Sequence, residues 1–438
     1  MKSTYLLYDQ NPLELKVPDH WSILEPQDPP AIGDLQPAIQ SALEKPISAD
    51  SLLSIAQRAD KNKSAVIVIS DITRAIPNKN FLPEIVHVLQ QAGFEDHKIV
   101  ILIATGMHRP STPQERIELL GPQLSEKYRV IDHHADDPKT LTDLPHRTTS
   151  GTSVRINSVY YNAGMKILTG FIEPHFMAGF SGGRKTICPG LVDLSTLQQF
   201  HGFKILNDPR SRIGNLEANP CHQEALEVAR MARPDFIFNV TVNAHGRITG
   251  IFAGDLEKAH QSGVEFIRKN MTVRVERPFD VVFTSGGGYP LDTTFYQTGK
   301  GMVVAGQYVK PGGKVIIASG CKHGIGSKIF RDILFQYDHY KPFLANISKN
   351  DQTQLDQWGL QIQTRVLEKV GLEGLIAVCD NIDVNDLRRC HVTAAEDIVG
   401  AGNAQDQINR LVDLFAAGGQ SVAVMPRGPY ILPDVQTL

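Results

Sequence analysis

Residues 64–70 (Ser-Ala-Val-Ile-Val-Ile-Ser) form a run rich in β-branched side chains, with no polar position between the two serines to mark a solvent face. A strand buried on both sides reads this way. Leu82, Ile85, Val86 and Leu89 then recur at helical spacing across 81–93, and Gly93 is placed to end that helix. The same alternation returns with a strand at 98–103 and a helix at 112–120, closed by Gly121. Strand-helix-strand-helix order predicts a parallel sheet covered by helices. Further strands are predicted at 165–169, 236–242, 281–284, 314–319, 375–379 and 421–425, and helices at 221–231, 255–269, 293–309 and 404–416.

Two stretches break the pattern. Up to about Ile47 the chain is Pro-rich, and LEPQDPPAIGDL reads as an irregular covering segment. The charged run RKNMTVRVERP (268–278) interrupts the alternation before a fresh strand begins at Phe279. The expectation is therefore two α/β domains with parallel-type sheets, 1–272 and 273–438. Neither an internal repeat nor a low-complexity tract is visible.

Composition narrows the function. The 438 residues carry 44 Lys+Arg against 47 Asp+Glu, a net charge of −3, which predicts neither a nucleic-acid surface nor a polybasic membrane patch. No apolar run approaches the ~20 residues of a bilayer span. The N-terminus reaches Tyr8-Asp9-Gln10-Asn11 too early for a secretory signal. The 5 cysteines are scattered without a CxxC pair, which disfavours a disulfide scaffold or structural zinc and fits a reducing cytoplasm.

In open α/β sheets ligands collect beyond the carboxyl ends of the strands. The chemistry-bearing residues stand there: Asp71 to Arg74, Ala104 to Pro110, Gly170 to Thr186, and Ser285 to Pro290. Arg74 can hold a carboxylate or phosphate bidentately with Asp71 to orient it, or the pair is a helix cap beside a surface arginine. His108 and His175 can act as general acid and base, or be solvated loop histidines. His133, His134 and His146 read as polar loop residues. Gly179 to Thr186 nearly matches a P-loop, but Arg184 stands where the second glycine must be. Gly182 and Gly183 could still bring backbone N–H groups to an anion, with Lys185 as charge or nucleophile; the alternative is a plain turn. His201 is a lone metal-ligand candidate, so any metal needs donors from outside the protein. Tyr296, Gln297 and Lys300 fall on the predicted 293–309 helix, where Gln297 and Lys300 share a face. Trp358 reads as core.

Five segments together resemble the nickel-dependent lactate racemase family: SDITRAIP (70–77), ATGMHRP (104–110), FIEPHFMAGFSGGRKTICPGL (171–191), FHGF (200–203) and GGYPLDTTFYQTGKG (287–301). They stand in the family's order and spacing, and the likeness covers essentially the whole chain. It implies an active site in the cleft between two α/β domains and a nickel-pincer nucleotide. That cofactor is a pyridinium dithiocarboxylic acid mononucleotide holding nickel. The family's tether lysine falls on Lys185, its nickel ligand on His201, and its two catalytic histidines on His108 and His175. Arg74 and Lys300 match substrate-positioning cations, Asp71 an acidic partner beside Arg74, and Gln297 a polar contact. Maturation enzymes for the cofactor are implied as partners.

The chemistry agrees. The Cα–H of a 2-hydroxy acid is scarcely acidic beside a carboxylate, and no carboxylate cluster is visible to hold Mg²⁺ against a dianion. Removing hydride gives a neutral keto group, so two histidines, cations and an electrophilic cofactor suffice. A cofactor-free two-base racemase or dehydratase, and a non-catalytic phosphate- or nucleotide-binding protein, remain the alternatives.

Overall fold

In the computed structural model, which describes residues 1–74, 76–350 and 353–436, the chain forms two compact units. Ala75, inside the SDITRAIP segment, lies outside the described residues. One unit comprises Asp28–Phe200 and Arg210–Asn270; the other comprises Met1–Gln27, His201–Pro209 and the chain from Met271 on. The expected contiguous division, 1–272 and 273–438, does not express this: two early segments pack with the later half.

The unit containing Asp28–Phe200 is built on a six-stranded sheet. Its order is Ile248–Gly254, Phe236–Val242, Met165–Phe171, Ala65–Ser70, Ile99–Ala104 and Arg129–Asp132. All pairings are parallel except the edge strand Ile248–Gly254, which runs antiparallel to its neighbour. Val66, Ile67, Val68, Ile101, Leu102 and Ile103 are 0–1 % exposed, as an unalternating run requires when helices cover both faces. Successive strands leave Ala65–Ser70 in one direction and Met165–Phe171 in the other. The switch point between these two is where such sheets bind ligands.

The second unit has an all-parallel sheet: Thr393–Ala394, Leu375–Val378, Val309–Ala318, Phe279–Ser285, Val422–Val424 and Ser22–Ile23. Here the strand order switches beside Phe279–Ser285, whose end leads through a short turn into the helix Phe295–Tyr308. The sheet classes and the predicted strands agree within a few residues at each end.

Residues 24–34, nearly all of LEPQDPPAIGDL, have no regular structure, as expected, but the rest of the chain before Ile47 is not irregular. Lys2–Leu6 pairs antiparallel with Leu13–Val17, Ser22–Ile23 is the edge of the sheet just described, and Leu35–Glu44 is a helix. Leu13-Glu14-Leu15-Lys16-Val17 alternates buried and exposed, a period-two signal outweighed in the sequence by nearby prolines. Leu6, Leu15, Val17 and Trp21 join Ile408, Leu411 and Phe415 in one core, so the segment stays with the later half. The charged 268–278 run is also structured. The helix Lys258–Met271 extends into it, and Thr272–Val275 pairs with Leu432–Val435.

Candidate active site

Asp71 leaves the end of Ala65–Ser70 and His108 follows Ile99–Ala104, adjacent strands that bring two residues 37 apart into contact. Asp71 Oδ2 lies 2.6 Å from His108 Nδ1, while Oδ1 accepts the Thr73 hydroxyl at 2.6 Å and the Thr73 N–H at 3.2 Å. Burial alone pushes the Asp71 carboxyl up. The His108 hydrogen bond and charge, the Thr73 bond and the Arg74 charge outweigh it, and the group rests below the usual aspartate value. An ionised carboxylate only accepts, so His108 Nδ1 is the donor toward Asp71 and Nε2 is the nitrogen left for other partners. Half of the His108 side chain is exposed. Arg74 contributes charge to Asp71, but its guanidinium donates to the Thr73 carbonyl at 3.3 Å. Asp71, the partner expected beside Arg74, thus bonds His108 and the Thr73 hydroxyl at 2.6 Å each and meets Arg74 through charge.

Downstream of Met165–Phe171 the chain makes a minimal hairpin, Pro174–His175 against Gly179–Phe180. A Cβ at Gly179 would stand 2.2 Å from the Asn215 carbonyl oxygen, and φ is +78°, so only glycine closes this turn. The hairpin buries His175. Its Nδ1 accepts the N–H groups of Met177 and Ala178, both at 3.3 Å, and its ring stacks on Phe176 at 4.5 Å. Nε2 is 2.6 Å from Lys185 Nζ. Burial, reinforced by Arg74 and Arg184, holds the Lys185 ammonium far below the ordinary lysine range.

Lys185 is placed by the short turn Gly183–Thr186. The Gly183 N–H donates to Asn239 Oδ1 at 2.7 Å, and a Cβ on Gly182 would meet that same oxygen at 2.8 Å. These glycines serve close backbone packing, with the Gly183 amide already committed rather than turned toward an anion. Arg184, read from the sequence only as a departure from the P-loop, is 1 % exposed. Its Nη2 donates to the Ala178 and Phe180 carbonyls at 2.8 and 2.9 Å, and Nη1 lies 2.9 Å from His260 Nε2. One guanidinium therefore ties down the loop between His175 and Lys185. His133, expected in a polar loop, is also buried: its ring nitrogens face the Val192 carbonyl at 2.9 Å and the Asn157 amide at 3.3 Å.

In the other unit, His201 stacks on Trp358 with ring centroids 4.6 Å apart, and Trp358 Nε1 donates to the Tyr296 hydroxyl. Trp358 is thus packed, as expected, yet it also links two candidate site residues. Nothing in its local sequence signals this, because the contact depends on how Gln357–Val370 meets Phe295–Tyr308. Gln297 Oε1 is buried with no hydrogen-bond partner among the described residues. Lys300 lies one turn further along the same helix. Asp292, just before that helix, is 1 % exposed, and its Oδ2 accepts the N–H groups of Asp9 at 3.0 Å and Gly320 at 2.9 Å. Sequence reading missed this brace. Among the described residues, no group of three or more His, Cys, Asp or Glu side chains could hold a metal ion.

The lactate racemase N-terminal domain model matches residues 8–214, and the lactate racemase C-terminal domain model matches 275–428. A lactate racemase of Lactiplantibacillus plantarum is 33 % identical over 397 residues, 90 % of this chain and 89 % of that protein. One of Thermoanaerobacterium thermosaccharolyticum is 35 % identical over 362 residues, 82 % of this chain and 83 % of that protein. The lactate racemase apoprotein structure from the latter organism superposes with a TM-score of 0.90 at 30 % identity, covering 99 % of this chain and 100 % of that one. A Thermotoga maritima protein at 17 % identity and a TM-score of 0.67 shares the fold. Matched along nearly its whole length in sequence and fold, the chain belongs to the lactate racemase family.

Proposed function

We propose that this protein inverts the C2 centre of lactate or a related 2-hydroxy acid by proton-coupled hydride transfer. The observation that carries the reading is the complementary state of two histidines. In the unmodified chain Asp71 accepts from His108 Nδ1, so Nε2 is the basic nitrogen of the neutral His108 ring, whereas the N–H groups on His175 Nδ1 place that ring's proton on Nε2, a hydrogen-bond donor. An inverting enzyme needs one group ready to take the hydroxyl proton and another ready to return it. Arg74 and Lys300 hold the substrate carboxylate, while Tyr296 and Gln297 supply polar contacts. The relatives' names support lactate as the default substrate.

A bound nickel-pincer nucleotide supplies the hydride acceptor. The donor set fits a metal carried by an organic group: His201 gives one imidazole, and no protein cluster completes a coordination sphere among the described residues. The buried Gln297 Oε1 is an acceptor awaiting a donor. Lys185 is the tether, in the turn formed by Gly182 and Gly183. Maturation enzymes are the implied partners, and five scattered cysteines without a CxxC pair favour a reducing cytoplasm. No helix among the described residues is long and apolar enough to cross a membrane.

Coexpression with cofactor-building enzymes tests the reading. Matured protein should interconvert D- and L-lactate, hold about one nickel per chain and carry added mass on the Lys185 peptide. Equal racemisation by metal-free, unmodified protein would overturn it in favour of a two-base enzyme, and binding without turnover in favour of a nucleotide-binding protein.

A further inference from the structure

We propose that in the unmodified chain Lys185 is an uncharged amine, accepting the Nε2–H of His175 beside the buried Arg184 charge, and so is a nucleophile ready for acylation at neutral pH. The proposal deepens the tether assigned above but does not depend on it.

The argument starts from His175. Two backbone N–H groups point at Nδ1, from Met177 and Ala178 at 3.3 Å each, so Nδ1 carries no proton. A neutral imidazole then bears its proton on Nε2. That nitrogen is 2.6 Å from Lys185 Nζ. An ammonium has three donors and no lone pair, so it would face this N–H donor to donor. Only the free amine completes the bond. The alternative, an ammonium donating to a bare Nε2 with Nδ1 also bare, requires an imidazolate.

The surroundings favour the same state. Arg184 is held by three carbonyls, those of Ala178, Phe180 and Gly182, and among the described residues it bonds no carboxylate. Burial lowers its guanidinium only to about 9, so it remains a cation at neutral pH. Arg74 adds a second positive charge near Lys185, and Glu173 and Cys221 oppose them more weakly. Lys185 itself is only part-buried, so a reagent can reach it. Desolvation beside another cation is a general route to a nucleophilic lysine. Acylation has a consequence for the neighbour: an amide or thioamide nitrogen offers no comparable lone pair, so His175 Nε2–H loses its partner and becomes available to substrate.

The test uses the purified, cofactor-free full chain and a water-soluble N-hydroxysulfosuccinimide ester of acetate. The lysine nitrogen bonds to the acyl carbon, the ester C–O bond breaks with its electrons leaving on the hydroxysulfosuccinimide oxygen, and the nitrogen loses a proton to solvent. Rates per lysine are read by peptide mass spectrometry from pH 6 to 9, with exposed Lys16 and Lys341 as internal references. An ordinary lysine, with a pKa of about 10.4, accelerates about tenfold per pH unit in this range. Lys185 should instead show a nearly flat profile. Arg184→Gln, if it folds, should restore part of the pH dependence. A tenfold rise per unit at Lys185 in the wild-type chain overturns the proposal, as does no labelling there at a pH where Lys16 and Lys341 are complete. A flat profile in a protein that never racemises would sink the proposed function and leave this inference standing. A steep profile in a protein that matures and racemises would do the reverse.

Discussion

At the scale of single residues, the chemistry resides in which nitrogen of each histidine carries a proton. Asp71 decides this for His108 across a 2.6 Å contact. In Asp71→Asn the side chain can present N–H groups instead, favouring a bare Nδ1 and a protonated Nε2 and so removing the base. Turnover of matured enzyme should fall by about 10²–10⁴ with a small change in KM, since the carboxylate-binding cations are untouched. Steady-state kinetics in both directions check this; a KM effect alone would assign Asp71 to substrate binding. His108→Ala and His175→Ala should each block inversion in both directions, yet each should spare oxidation of one enantiomer. Single-turnover trapping of the 2-keto acid from pure D- or L-substrate reads the asymmetry. Equal residual oxidation of both enantiomers by both variants would refute the two-face assignment. The candidate residues themselves were legible as polar groups at predicted strand ends. The Asp71–His108 pairing was not, because local spacing pointed to Arg74 while the contact is made across two parallel strands.

At the scale of elements, the turn holding Lys185 is shaped by packing. Gly182 has φ of +76°, and a Cβ there would lie 2.8 Å from Asn239 Oδ1 and 2.9 Å from Ile172 Cγ1. Gly182→Ala therefore meets both a left-handed backbone and a filled space, and should cost about 1–3 kcal/mol, lowering the melting temperature by several degrees. Calorimetry of the unmodified protein measures this directly; an unchanged melting point would mean that the turn relaxes freely. Asp292 is the corresponding brace in the other unit. Asp292→Ala strands the Asp9 and Gly320 N–H groups at a buried position, at about 1–3 kcal/mol for each left unsatisfied, and should loosen the start of the helix bearing Tyr296, Gln297 and Lys300. Hydrogen exchange of the 295–300 amides would report that loosening; unchanged protection would confine Asp292 to a stability role.

At the scale of the whole molecule, buried neutral histidines set acid sensitivity. Burial lowers His133 from an ordinary 6.5 to about 4, and burial with nearby arginines lowers His222 to about 3. In the window between those values and 6.5, the unfolded chain binds protons that the folded chain does not. Stability is thus complete above pH 6.5 and falls as the pH drops toward 4, by about 1.4 kcal/mol per pH unit for each such histidine. The melting temperature should decline steadily from pH 6.5 to 4.5; a constant value would mean that these rings become protonated without cost.

The sequence by itself determined the α/β class, most of the parallel strands, the family and the candidate side chains, because continuous apolar runs and turn glycines act over a few residues. It also contained the period-two pattern at Leu13–Val17, which the surrounding prolines obscured. Tertiary structure alone decided that Met1–Gln27 and His201–Pro209 pack with the later half, that Trp358 lies on His201, that His133 and Arg184 are interior, and which partner each catalytic candidate bonds. Those outcomes depend on parallel strands joined by long crossovers. Such strands place residues tens or hundreds apart at one sheet edge, a proximity that no local periodicity encodes.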